Sequence, residues 1–191
     1  MSGPLPLKSG DIVFIATPSP LYRGLTRATG AKASHVGIVF ADAQAGWVVA
    51  ESAVPRSRYR PLERFLGRSD DDWFVVRRLK QELTPDQVAV LRAACDRRMG
   101  RWYHLGFKYE SARTFCSKFV HEVYREALGI DIGEVETFSE LLRRNPGEPL
   151  GFWKLWFFGF IPWQRKTVTP ASQLQSPRLN TIWHSGNPGS A

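Results

Sequence analysis

A chain of 191 residues, 43% of them hydrophobic, can bury one compact core with appendages and is short for two domains. The 26 Lys and Arg against 18 Asp and Glu leave a net charge of +8, which favours anionic surroundings. The basic residues are scattered (Arg56, Arg58 and Arg60, then Arg77 and Arg78, then Arg97, Arg98 and Arg101) with no nucleic-acid motif around them, so they read as surface charge and no nucleic-acid partner is expected. Two cysteines, Cys95 and Cys116, imply no disulfide framework. The N-terminal MSGPLPLKSGDIVFIA lacks the basic segment and long apolar run of a Sec-type signal, which points to a cytoplasmic protein or one exported by a signal-less route.

In chain order, GDIVFIA (10–16) and HVGIVF (35–40) are short β-branched and aromatic runs that read as buried strands. The prolines and glycines between them mark a loop with room for one helical turn. GWVVA (46–50), ending at Glu51-Ser52, and WFVVR (73–77), after three aspartates, complete a small antiparallel sheet. Thr84-Pro85 opens a helix whose apolar stripe of Val88, Leu91, Ala94, Cys95 and Met99 runs to Gly100. A second helix spans 115–128, with Cys116 in its first turn and Gly129 as its stop.

The segment LGFWKLWFFGFIPW (150–163) is the most hydrophobic, but its fourteen residues are broken by Gly159 and Pro162, and a bilayer span needs about 20. It either packs over the core and substrate groove or meets a membrane interface peripherally through Trp153, Trp156, Phe157, Phe158 and Phe160. The chain after Gln164 is polar, His184 falls in a mobile tail, and residues 185–191 are expected to be disordered, leaving one domain over 1–184.

Cys116 is the stronger nucleophile candidate, because a helix N-terminus stabilises a thiolate whereas Cys95 lies mid-helix among apolar neighbours. It needs a base, a third group to fix that base, and donors for a developing oxyanion, one of which is its own backbone N–H. His121, five residues further along the same helix, points about 140° away. His104 lies in a loop-like stretch. His35 opens a buried strand and can be held rigidly against a helix terminus. No His-Glu-x-x-His, paired Cys-x-x-Cys or Gly-x-Ser-x-Gly occurs, so neither a metal nor a serine hydrolase site is expected, and no cofactor.

GDIVF followed by SHVGIVF resembles the strand pair of the NlpC-type cysteine hydrolases, in which the catalytic histidine opens the second strand. FCSKFVHEVYREALGIDI is similar to their nucleophile helix. In ordinary members the cysteine comes first; here His35 precedes Cys116 by 81 residues, as in the permuted branch, the YiiX- and YebB-like papain-fold amidases. The resemblance implies an α+β, circularly permuted papain-like fold, its small antiparallel sheet packed on the nucleophile helix. It implies Cys116 as nucleophile, His35 as general base and Glu51, on the following strand, as the group that orients His35, with Asp42 as the alternative. Ser34 and Ser117 read as structural or cap residues. Phe115-Cys116-Ser117-Lys118 departs from the usual Asp-Cys-Ser-Gly, which moves the expected substrate away from peptidoglycan; Lys118 and the basic excess suit an anionic one. The expected activity is cleavage of an amide through a thioester. The alternatives are a lipid acyl-ester hydrolase or acyltransferase on the same site, and an inactive binding module.

Overall fold

A computed structural model describes residues 5–18, 26, 29–144 and 150–186. Residues 19–25, 27 and 28 of the loop expected between the first two strands fall outside them, as does the tail from 187 onward. Six strands form one sheet: β1 (Asp11–Ile15), β2 (His35–Asp42), β3 (Gly46–Ser52), β4 (Ser57–Pro61), β5 (Phe74–Leu79) and β8 (Leu179–His184), in the order β4-β3-β2-β1-β5-β8 with every pair antiparallel. The fold is the expected α+β arrangement. β4 and β8 are additions that apolar patterning does not announce.

Alternation sorts the side chains of each strand onto two faces. Val36, Ile38 and Phe40 of β2 face a core shared with two helices, α2 (Pro85–Asp96) and α3 (Cys116–Leu128), which contribute Leu91, Ala94 and Cys95, and Phe119, Val120 and Val123. Val13, Ile15, Val39, Val49 and Val76 face the other way, onto Leu62 and Phe65 of the short helix α1 (Leu62–Leu66). Thr84 caps α2 with a reciprocal capping box, and Gly129 ends α3 at φ 68°, in the left-handed region where glycine meets no Cβ penalty.

A third, aromatic cluster forms a lobe beside the sheet, from Tyr103, Phe107, Phe115, Phe138, Trp153, Ile161 and Val168. It holds α4 (Phe138–Arg143), α5 (Gly151–Trp156) and a two-stranded ribbon of β6 (Glu136–Thr137) with β7 (Lys166–Thr167). After it, α6 (Pro170–Leu174) turns the chain back, and buried Gln173 ties the lobe to α3 by donating to the carbonyls of Ser117 and Ile132 at 2.8 and 3.1 Å.

Residues 165–186 are therefore ordered where a tail was expected. His184 ends β8, and the Ser185 N–H donates to the Phe74 carbonyl while its hydroxyl accepts from the Phe74 N–H. β8 is held because Leu179 is buried in the main core while Ile182 and Trp183 pack on the opposite face.

Gly37, two residues into β2 from His35, is fixed by close approach. A Cβ there would lie 2.4 Å from Val49 Cγ1 and 3.0 Å from the Ala50 carbonyl. Gly37→Ala should therefore push β3 away from β2, costing about 1–3 kcal/mol in urea denaturation and lowering the reactivity of the cysteine site that β2 and β3 assemble.

Candidate active site

Cys116 is the first residue of α3, and it is almost fully buried. The residue before it, Phe115, has extended backbone and offers no side-chain cap, in contrast to Thr84 on α2 and Thr137 on α4. The unpaired N–H groups of the first turn are thus left to the thiol, and that of Ser117 hydrogen-bonds it.

His35 hydrogen-bonds Cys116 from the start of β2. Its ring stacks on Phe65 with centroids 5.5 Å apart, and its Nε2 meets Glu51 Oε2 at 2.7 Å, which leaves Nδ1 for the thiol. Glu51 is completely buried on β3. Besides His35 it accepts from Arg60 Nε at 2.9 Å and Arg58 Nε at 3.4 Å on Oε1, and from Arg68 Nη2 at 2.5 Å on Oε2. Arg58 stands directly opposite Glu51 in the β3–β4 ladder, and Arg60 shares its face one period on.

These contacts fix the protonation states. Burial opposes charge on all three groups. It is outweighed at His35 by the hydrogen bonds to Cys116 and Glu51 and by their negative charges, which lift the imidazole from 6.5 to about 9. At Glu51 the hydrogen bond and charge of His35, with Arg68 beyond, hold the carboxyl well below the usual carboxylate range. At Cys116 the contacts with His35, the Ser117 N–H and the Tyr103 hydroxyl bring the thiol down. The same contacts favour the thiolate of Cys116 and the imidazolium of His35 over the neutral pair.

Tyr103 is the site residue that sequence reasoning missed. Its chain segment is clamped by bridges outside the main strands: the Tyr103 N–H donates to the Pro55 carbonyl at 2.9 Å, His104 to Thr114 at 2.7 Å, and Thr114 to Trp102 at 3.0 Å. Nothing in the local pattern of WYHLGFKY signals that clamp. Of the three arginines around Glu51, Arg58 and Arg60 read as surface charge and Arg68 is not marked at all; the period-two spacing of Arg58 and Arg60 is their one visible sign.

The other candidates fall away from the site. Asp42 ends β2 seven residues from His35, about 23 Å along the strand, and pairs with Arg92 at 3.0 Å. The Lys118 ammonium is buried on the carbonyls of Ser111 and Arg113, with Glu122 at 3.5 Å. Ser34 and Ser117 are structural, Ser34 accepting from the Thr17 N–H at 2.7 Å and Ser117 donating to the Val168 carbonyl at 2.7 Å. His121 donates toward the Ile132 carbonyl at 3.0 Å, and His104 accepts from Gly106 at 3.0 Å. Cys95 is buried and its thiol is pushed up by desolvation.

Residues 6–183 match the family described as "Permuted papain-like amidase enzyme, YaeF/YiiX, C92 family". The chain belongs to this permuted papain-like amidase family. Two relatives agree with it. The chain is 27% identical over 175 residues to a protein of Escherichia coli (strain K12) named "Uncharacterized protein YiiX", covering 92% of this chain and 85% of the relative. The crystal structure of metalloprotein yiiX from Escherichia coli O157:H7 is similar with a TM-score of 0.82 at 27% identity, covering 93% of this chain and 97% of that one. That relative is described as a metalloprotein. Among the described residues of this chain, no three His, Cys, Asp or Glu side chains gather as a metal-binding group, so no residue here is assigned to a metal. The arrangement sets a thiol whose ionisation is favoured beside a histidine, with a buried carboxylate fixed behind the ring.

Iodoacetamide at limiting concentration should label Cys116 well before Cys95, with a rate that holds up below the ordinary thiol range near pH 8.5 because the paired thiolate persists there. In His35→Ala burial is left largely unopposed, so the rate should fall and its midpoint move up. Peptide mapping across a pH series reads both, and equal labelling of the two cysteines would contradict an activated Cys116.

Proposed function

We propose that this chain cleaves an amide bond, in a peptide, isopeptide or amidated conjugate, through a thioester on Cys116. The observation that carries the reading is the thiol at an uncapped helix N-terminus, hydrogen-bonded to a histidine that a buried carboxylate holds by its other nitrogen. The Cys116 thiolate attacks the carbonyl carbon and a C–S bond forms. The backbone N–H groups opening α3 and the Tyr103 hydroxyl stabilise the oxyanion. The His35 imidazolium gives its Nδ1 proton to the departing nitrogen, the C–N bond breaks, and a thioester remains. Neutral His35 then takes a proton from water, the resulting hydroxide adds to the thioester, and the C–S bond breaks to return the carboxylic acid and the thiolate. Glu51 touches no reacting atom; it is a positioning residue that keeps the imidazole ring oriented and charged.

An imidazole lifted to about 9 supports an amide over an ester, because an amine leaving group needs the proton that such a ring carries at neutral pH. A lipid acyl ester is the second reading. It is favoured by the apolar side chains Leu155, Phe158 and Phe160 left exposed on the aromatic lobe, and it uses the same thioester. An inactive binding module is disfavoured by the intact, charged pair.

Incubation with a panel of activated amides and esters, followed by intact-mass analysis of acid-quenched samples, should trap an acyl adduct on Cys116. Cys116→Ala should abolish both adduct and turnover, and Tyr103→Phe should lower kcat by about tenfold or more with little change in KM. Turnover that survives in Cys116→Ala would contradict the proposal. Fatty acid released from phospholipid and lost in that variant would favour the ester reading.

A further inference from the structure

The aromatic segment 150–163 divides into an inside and an outside. Trp153 is 3% exposed and is a core residue, which removes it from any contact surface, and Trp156 and Phe157 are partly buried against the same cluster. Leu155, Phe158 and Phe160 are instead 81%, 93% and 87% exposed. Exposure this high in large apolar side chains describes a protrusion rather than a groove, and three within six residues are more than a scattering of surface hydrophobics. Leu105, also exposed, adjoins them: its carbonyl accepts from Trp156 Nε1 at 3.0 Å.

The tip is built, not loose. Helix α5 closes with the paired hydrogen bonds of a Schellman ending, Gly159 N–H to Lys154 at 2.7 Å and Phe158 N–H to Leu155 at 3.3 Å. The left-handed position of that ending, which favours glycine, is filled by Phe158 at φ 51°, and the glycine stands one residue later at φ 93°. A phenyl ring is thus held out in solvent from a backbone conformation that disfavours side chains, with its surface left uncovered within this chain. Trp153, set edge-on to Phe138 at 5.4 Å, anchors the base of the tip in the lobe.

The segment that builds the tip carries cations only. From Leu150 to Thr167 there are Lys154, Arg165 and Lys166 and no acidic residue, and from Arg101 to Tyr109 there are Arg101 and Lys108 and again no acidic residue. Lys154 and Lys166 are exposed. Arg165 lies with its guanidinium carbon 5.2 Å from the centroid of the Phe157 ring.

We propose that this tip docks the protein on an anionic lipid bilayer, with Leu155, Phe158 and Phe160 entering the boundary between headgroups and acyl chains and Lys154 and Lys166 meeting the headgroup phosphates. A convex aromatic wedge rimmed by cations is the chemistry of peripheral membrane anchors. No helix among the described residues is long and apolar enough to cross a membrane, so the contact is one of surface binding. The surface goes beyond the amidase reading and stands without it, since none of its residues touches Cys116 chemistry.

The test is co-sedimentation of the full chain with vesicles of phosphatidylcholine alone and of phosphatidylcholine with a quarter phosphatidylglycerol. Binding should be stronger to the anionic vesicles and weaken with salt. Phe158→Ser with Phe160→Ser should weaken it at least about tenfold, and Lys154→Glu should weaken it on anionic vesicles only, with circular dichroism and Cys116 alkylation unchanged. Absence of vesicle binding by the unaltered chain would overturn the proposal, as would undiminished binding by the double variant. A concentration-dependent dimer in light scattering, lost in the double variant and unaccompanied by vesicle binding, would assign the tip to a second copy instead. Cys116→Ala should bind vesicles normally, so failure here and failure of the amidase reading are separable.

Discussion

A carboxylate with no exposed surface governs the structure around the site. Desolvating Glu51 costs several kcal/mol on its own, and the ion is tolerated only because His35, Arg58, Arg60 and Arg68 all donate to it. The four donors come from three places: β2 for the histidine, β4 for two arginines, the turn after α1 for the third. Satisfying one buried charge therefore fixes the β3–β4 pairing, the seat of α1 under the sheet and the orientation of the imidazole at once. The ring in turn carries the proton that favours the thiolate form of buried Cys116.

This dependence explains why chain order can be reversed without loss of the site. The nucleophile needs only an uncapped helix N-terminus lying against the strand that begins with the histidine, and the main core between α3 and β2 supplies that contact from either direction of connection. The loop between α2 and α3 packs against the site: its Phe107 sits edge-on to Phe115 at 5.6 Å, and it brings in the Tyr103 hydroxyl.

The sheet strands with β-branched alternation, both long helices and the Cys116–His35 pair were legible because each is written locally: a period of two, a capped apolar stripe, a reactive residue at an element's end. Glu51 was legible as a strand-end acid on the expected strand. β4 was not, because SRYRP is held by arginines reaching Glu51 and carries no apolar alternation. β8 was hidden because only Leu179 of its residues is fully buried and its partner is about a hundred residues earlier in the chain. Tyr103 and the arginine trio share that difficulty, since their roles arise from pairings across the fold. Hydrophobicity alone also could not divide the 150–163 segment into Trp153 inside and Phe158 outside; helix phase and the Schellman ending do that.

If the Glu51 carboxylate sustains the ion pair, its neutral counterpart should not. Thiolate absorbance at 240 nm, followed through a pH titration of the unaltered chain and of Glu51→Gln, with near-ultraviolet circular dichroism on both to verify the fold, measures this directly. The account predicts that the Cys116 thiolate forms below the ordinary thiol range in the first and that its midpoint rises by about a unit or more in the second. Superimposable titrations in two folded proteins would contradict it.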